Sequence, residues 1–216
     1  MKRTQGEKSE RSRFLILEAA LDLFSMHGYR ATSIREIADA AGLSTGNVYH
    51  HFPDKEALFN TLLNQYWAAI DSPDFPFNKA LMAGAFPNDL EALARAAEES
   101  VRQYRRQVAL IYVDVVEFKG IHIHSYYTQM ASRFAAFLNH RYPGDALKDQ
   151  LAPGVKPNTA LMLASRVFIQ YYALEIVFDI PQQFGLPTGT AIREVSEIIR
   201  HGILRTAKAL EASAKA

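Results

Sequence analysis

Thr45, Asn47, Tyr49, His50 and His51 bring hydroxyl, amide, phenol and imidazole groups into seven consecutive residues. Such groups hydrogen-bond to phosphate oxygens and to base edges. Only Val48 and Phe52 are clear inward anchors here, so a helix over 45–51 is too polar to be a core element. Ser44 is placed to cap it. Upstream, Ser33-Ile34-Arg35-Glu36 has the capping-box pattern, in which Ser33 and Glu36 satisfy each other's free backbone N–H groups. Ile34, Ile37, Ala38 and Ala41 then trace an apolar stripe that Gly42 ends. Two short helices around a glycine turn have the proportions of a helix-turn-helix, whose second helix fits the major groove. Arg35 could reach guanine O6 and N7 with two hydrogen bonds, and Asn47 could pair similarly with adenine. The competing readings are an ion pair of Arg35 with Glu36 or Asp39, and a packing role for Tyr49.

The elements that must hold this pair are helical too. Phe14, Leu17, Leu21 and Phe24 share one helical face, and Gly28 stops that helix. Pro53 closes the second short helix. Asp54 caps another over 55–70, lined by Leu58, Phe59, Leu62, Leu63 and Tyr66. Pro73 and Pro76 break the chain at 71–76. This predicts a first domain over 1–55 with a connecting helix 55–70, and a second domain over 71–216. Helices are expected over 89–105, 122–140 and 158–178, and from Thr190 onward. The β-branched run 108–118 would read as a buried strand in isolation, but no second strand is available to pair with it, so it is assigned as helix. The fold class is therefore all-α.

Composition narrows the class. The chain has 216 residues, 49% of them hydrophobic and 22% charged, a net charge of +1 and no cysteine. This suits a globular protein, and it excludes disulfides and thiolate chemistry. No signal-peptide pattern follows the first residues, and no uncharged apolar run is of membrane-spanning length; a cytoplasmic protein without membrane contact is expected. Residues 1–13 carry a net +3 through Lys2, Arg3, Lys8, Arg11 and Arg13 against Glu7 and Glu10. A basic arm fits phosphate contact, and a frayed terminus fits equally well.

Gly42-Leu43-Ser44-Thr45-Gly46-Asn47-Val48-Tyr49-His50-His51-Phe52-Pro53-Asp54-Lys55-Glu56-Ala57-Leu58 resembles the recognition-helix region of the TetR family of bacterial repressors, and the resemblance extends from Arg13 through Leu63. It implies an N-terminal three-helix DNA-binding domain and a C-terminal helical bundle for ligand binding and dimerisation. It also implies DNA contacts from Thr45, Asn47, Tyr49 and His50, from Ser33 and Arg35 at the start of the preceding helix, and from Lys55 as a phosphate-binding lysine. The implied function is a homodimeric repressor released from a palindromic operator by a small effector that moves the helix 55–70.

Beyond residue 71, tyrosines beside Asp114, Glu117, His122 and His124 are more polar than a sealed core needs. They are what an apolar ligand cavity with a few polar anchors would show. Tyr112, Phe118, His124, Tyr127, Phe134 and Tyr171 are the candidate lining, for a small hydrophobic effector. The helix 158–178 is apolar on nearly every side and requires burial all round or a second copy of the chain. Phe168, Tyr172, Val195, Ile199 and Ile203 are the candidate dimer interface. A metal site is not expected, although Asp114, Glu117, His122 and His124 could converge if the chain folds back at Gly120. No cofactor is expected, and no catalytic motif stands at telling spacing. The reading from another class is an all-α enzyme or small-molecule carrier with an incidental helix-turn-helix.

Overall fold

A computed structural model describes residues 4–144, 146, 147 and 150–203. They form ten helices and, among the described residues, no β-strand. The helices are α1 (Gln5–His27), α2 (Ile34–Ala41), α3 (Thr45–His51), α4 (Lys55–Asp71), α5 (Pro76–Met82), α6 (Leu90–Gln103), α7 (Arg105–Phe118), α8 (His124–Arg141), α9 (Pro157–Val177) and α10 (Thr188–Ile203). They divide into two compact units, residues 1–71 with 106–125, and residues 72–105 with 126–216. A cut at residue 71 alone is thus corrected, because nearly all of α7 packs with the N-terminal helices.

In the first unit, α1 starts earlier than its apolar stripe suggests. Thr4 accepts a hydrogen bond from the Glu7 amide, and Glu7 returns one from the Thr4 amide. Lys8, Arg11 and Arg13 are therefore helical rather than part of a frayed arm; Lys2 and Arg3 lie outside the described residues. The core combines Ile16, Leu17, Ala20 and Phe24 of α1, Ile37 of α2, Val48 of α3, and Leu58, Phe59 and Leu63 of α4. Phe59 is its aromatic hub. Its ring centroid lies 5.6 Å from Phe24, 5.5 Å from Tyr29, 5.3 Å from Phe118 and 5.8 Å from His122.

The second unit is built on α6. Leu90, Leu93, Ala94, Ala97 and Val101 form its buried stripe. It packs most extensively against α9, which buries Leu161, Ala164, Phe168, Tyr171 and Tyr172. By length and mean hydropathy (1.3) α9 would suffice to cross a membrane; its buried face is that of a core helix. The short α5 was not legible in the sequence. It opens with Pro76 in its first turn, where the missing N–H costs nothing. The Phe77 amide donates to Ser100 Oγ at 3.2 Å, which ties α5 to α6.

Two helices start slightly before the expected positions, 158 and Thr190. Asn158 does not cap α9; its Nδ2 donates to the Ala131 carbonyl at 3.1 Å and joins α9 to α8. Helix α10 begins at Thr188, and Thr188 Oγ1 donates to Glu175 Oε2 at 2.7 Å.

Candidate nucleic-acid interface

The pair α2 and α3 is capped as expected. Ser33 Oγ accepts from the Glu36 amide at 3.2 Å, and Glu36 Oε2 accepts from both the amide and the hydroxyl of Ser33 at 2.7 Å. Gly42 closes α2 in the left-handed region (φ 67°), and the Leu43 amide donates to the Ala38 carbonyl at 2.9 Å. Ser44 Oγ accepts from the Asn47 amide at 3.2 Å, and Asp54 Oδ1 accepts from the Ala57 amide at 2.7 Å. Val48 is fully buried and Phe52 nearly so. These two anchors pin α3 to the core and turn its polar side outward.

That side presents Thr45, Tyr49 and His50, all exposed. Arg35 is exposed as well. Its 3.9 Å pairing with Asp39 joins two solvated groups, a contact too weak to hold the guanidinium from another partner. Asn47 is half-buried, and its Oδ1 is buried with no hydrogen-bond partner among the described residues. Two-point pairing with adenine would first require that amide to rotate. His51 is half-buried against the core. Burial first, then His50 and Arg13, hold its imidazole below the ordinary histidine value of 6.5.

Ser33 and Lys55 are engaged within the chain. The Ser33 hydroxyl serves the cap. Lys55 Nζ donates to the carbonyls of Tyr29 (2.9 Å) and Thr32 (2.8 Å) and lies 4.1 Å from the centre of the Tyr29 ring. A side chain so placed is a strut between α4 and the α1–α2 turn, with two of its three ammonium donors used on backbone. The α4 amides remain a helix N-terminus, the end that favours an anion.

The acidic and histidine cluster does not converge. The chain does fold back at Gly120 (φ 75°). His122 Nδ1 then meets the buried Asp114 at 2.5 Å, and its Nε2 lies 3.3 Å from Glu56 on α4. Glu117 instead accepts from the amides of Tyr29 and Arg30. His124 is exposed. Among the described residues, no three His, Cys, Asp or Glu side chains are grouped to hold a metal ion. Sequence reasoning gave no role to Arg106, which pairs with Asp22 at 2.7 Å and Glu18 at 3.1 Å. A lone arginine 84 residues from its partner leaves no local pattern.

The candidate ligand residues are divided. Tyr112, Phe118 and His124 belong to the first unit, and Tyr127, Phe134 and Tyr171 to the second. Phe118 is a packing residue, stacked on Phe59 and edge-on to Tyr29 at 4.6 Å. In the second unit, Tyr127 lies beneath the Arg166 guanidinium, and the buried Tyr171 ring contacts Tyr172 and Phe184. A charged, open depression on α6 is lined by Arg95, Glu98, Glu99, Arg102 and Gln103, and includes none of the six.

Of the candidate interface residues, Phe168, Tyr172 and Ile199 are buried within their own chain. Val195 is half-buried, and the Ile203 side chain lies outside the described residues. The exposed apolar residues of the same helices are Leu163, 47% exposed, and Ile198, 71% exposed.

Two predictions follow from this geometry. Glu36 is held below the usual carboxylate range by its hydrogen bonds to Ser33, and His51 below the histidine range by burial. In both cases the folded chain binds fewer protons than the unfolded one, so stability rises with pH. Acidification should lower the melting temperature, first below pH 6.5 and again in the carboxylate range. His51→Gln should remove the first step in thermal melts recorded against pH. Gly28 has φ 86°, and a Cβ there would lie 2.5 Å from Glu117 Oε1. Gly28→Ala should cost about 1–3 kcal/mol in denaturant unfolding.

The capped pair α2 and α3, joined by the Gly42 turn and exposing the polar side of α3, has the arrangement of a helix-turn-helix. Residues 16–62 match the family model described as bacterial regulatory proteins, tetR family. The chain is similar to that family over this N-terminal segment. It is 34% identical over 115 residues to the HTH-type transcriptional repressor KstR2 of Rhodococcus jostii, covering 53% of each chain. It is 32% identical over 126 residues to the HTH-type transcriptional regulator AcrR of Shigella flexneri, covering 56% of each. The chain thus spans about half the length of the curated relatives it matches. Its fold is similar to that of NalD, the secondary repressor of the MexAB-OprM multidrug efflux pump in Pseudomonas aeruginosa. The TM-score is 0.61 at 24% identity, covering 92% of this chain and 98% of that one.

Proposed function

We propose that this chain is a homodimeric transcriptional repressor of the cytoplasm that binds a palindromic operator and is released by a small hydrophobic effector held in the second unit. The observation that carries the reading is α3. It is anchored by Val48 and Phe52, exposes Thr45, Tyr49 and His50, and lies inside the segment matched by the family model. Those side chains can donate to phosphates and base edges, and the exposed Arg35 near the start of α2 is a candidate cationic contact. A single recognition helix reads few base pairs, and a two-fold axis supplies a second. Leu163 on α9 and Ile198 on α10 are the apolar surface best suited to meet a second copy. An effector lowers operator affinity only by binding the DNA-incompetent form better. Tyr127, Phe134 and Tyr171 are the candidate contacts in the second unit. Catalysis is not part of the proposed activity.

The test is a duplex selected by the protein from a random pool. Tyr49→Ala and His50→Ala should each weaken binding to it by about 1–3 kcal/mol. Unchanged affinity in both variants would remove α3 from the interface. A carrier would show no salt-dependent binding to such a duplex, and an enzyme would turn over the molecule it binds.

A further inference from the structure

We propose that Glu117 is a positioning residue for operator binding: its carboxylate holds the turn that leads into α2, and through it α7 sets the pose of the helix-turn-helix. The inference rests on the DNA-binding reading above.

The turn from Tyr29 to Thr32 is gripped on both faces of its peptide groups. Glu117 Oε1 accepts from the Tyr29 amide at 2.9 Å, and Oε2 accepts from the Arg30 amide at 2.7 Å. Lys55 Nζ donates to the carbonyls of Tyr29 and Thr32. A carboxylate thus holds the N–H groups and an ammonium holds the C=O groups. Each is a charge-assisted bond, of the stronger and more directional kind. The Glu117 side chain is only 16% exposed, and both of its oxygens are used on backbone rather than on a lone cation. The Arg30 guanidinium adds a bond back to the Glu117 carbonyl at 3.1 Å. Gly28 leaves room for the carboxylate, since a Cβ there would overlap Oε1.

Ser33, the cap of α2, follows this turn directly, so the direction in which α2 and α3 leave it depends on how it is held. The other polar anchors of α7 grip different parts of the first unit. Arg106 holds α1, and Asp114 reaches α4 through His122 and Glu56. Glu117 is the polar anchor that acts on the lead-in to the DNA-reading helices, and Phe118 adds a ring contact to Tyr29. Helix α7 follows α6 through Tyr104 alone, so it is also where the chain passes from the second unit into the first.

The test uses the full chain and a duplex of about 30 base pairs enriched from a random pool by the wild type, with poly(dI-dC) as non-specific DNA. Glu117→Ala should lower affinity for the enriched duplex about tenfold or more, and affinity for poly(dI-dC) less than about threefold. Amide exchange at Tyr29 and Arg30 should accelerate while the α4 amides keep their protection. Removing a negative charge would by itself tighten DNA binding, so a loss cannot be a charge effect. Glu117→Gln keeps one acceptor oxygen and the side-chain volume. It should protect one of the two amides and give intermediate affinity, and it carries the test if the alanine variant fails to fold. Wild-type affinity in both variants would overturn the proposal, and so would unaccelerated exchange at Tyr29 and Arg30. Equal loss on both DNAs together with loss of α4 protection would show a merely structural role and overturn it as well. If the wild type enriches no duplex, the DNA-binding reading itself fails; that outcome is seen before any variant is made.

Discussion

Phe59→Ala should lower the unfolding free energy by about 3–5 kcal/mol, the range for a large aromatic removed from a close-packed core. The side chain is fully buried. Its ring meets Phe24 of α1, Tyr29 of the α1–α2 turn, Phe118 of α7 and His122 beyond it. Deletion therefore leaves a cavity bordered by segments from both stretches of sequence that build the first unit. None of those rings can fill it without leaving its own contacts. Whole domains are stable by only about 5–15 kcal/mol, so the variant should be close to unfolded at elevated temperature. Denaturant unfolding followed by circular dichroism checks this. A cost below about 1 kcal/mol would mean that the ring cluster does not organise the unit.

The second large effect separates an interface from a core on a single helix. Ile198 and Ile199 are adjacent on α10, one 71% exposed and the other 7%. Ile199→Asp buries an unpaired charge and should unfold the second unit. Ile198→Asp should leave the chain folded and shift it from dimer to monomer in sedimentation at micromolar concentration. Operator affinity should then fall about 10²–10⁴-fold, because the second half-site contact is no longer intramolecular. A dimeric Ile198→Asp protein with undiminished affinity would place the dimer contact elsewhere.

The sequence was most informative where structure is local. The caps at Ser33, Ser44 and Asp54 are each written within four residues and recur with the expected partners. The ambiguous run 108–118 is helical, as the absence of a pairing strand requires. Tertiary partners were not legible. Glu117 reaches amides 87 and 88 residues away, and Arg106 reaches carboxylates 84 and 88 residues away. Periodicity also does not tell which neighbour a face meets. Phe118 had the features of a pocket residue and lies against Phe59; Phe168 and Ile199 had those of an interface and are covered by their own chain. Lys55 fits a phosphate contact by position, and nothing local in the sequence shows that its ammonium also bonds two backbone carbonyls.

Selection of the wild-type protein against a random-sequence duplex pool, followed by titration of the enriched duplex at several salt concentrations, tests the central claim most directly. The account predicts an enriched palindrome with half-sites about one helical turn or more apart. Its affinity should fall with salt along a slope set by the number of phosphates neutralised. Failure to enrich any sequence, with affinity indifferent to salt, would contradict it.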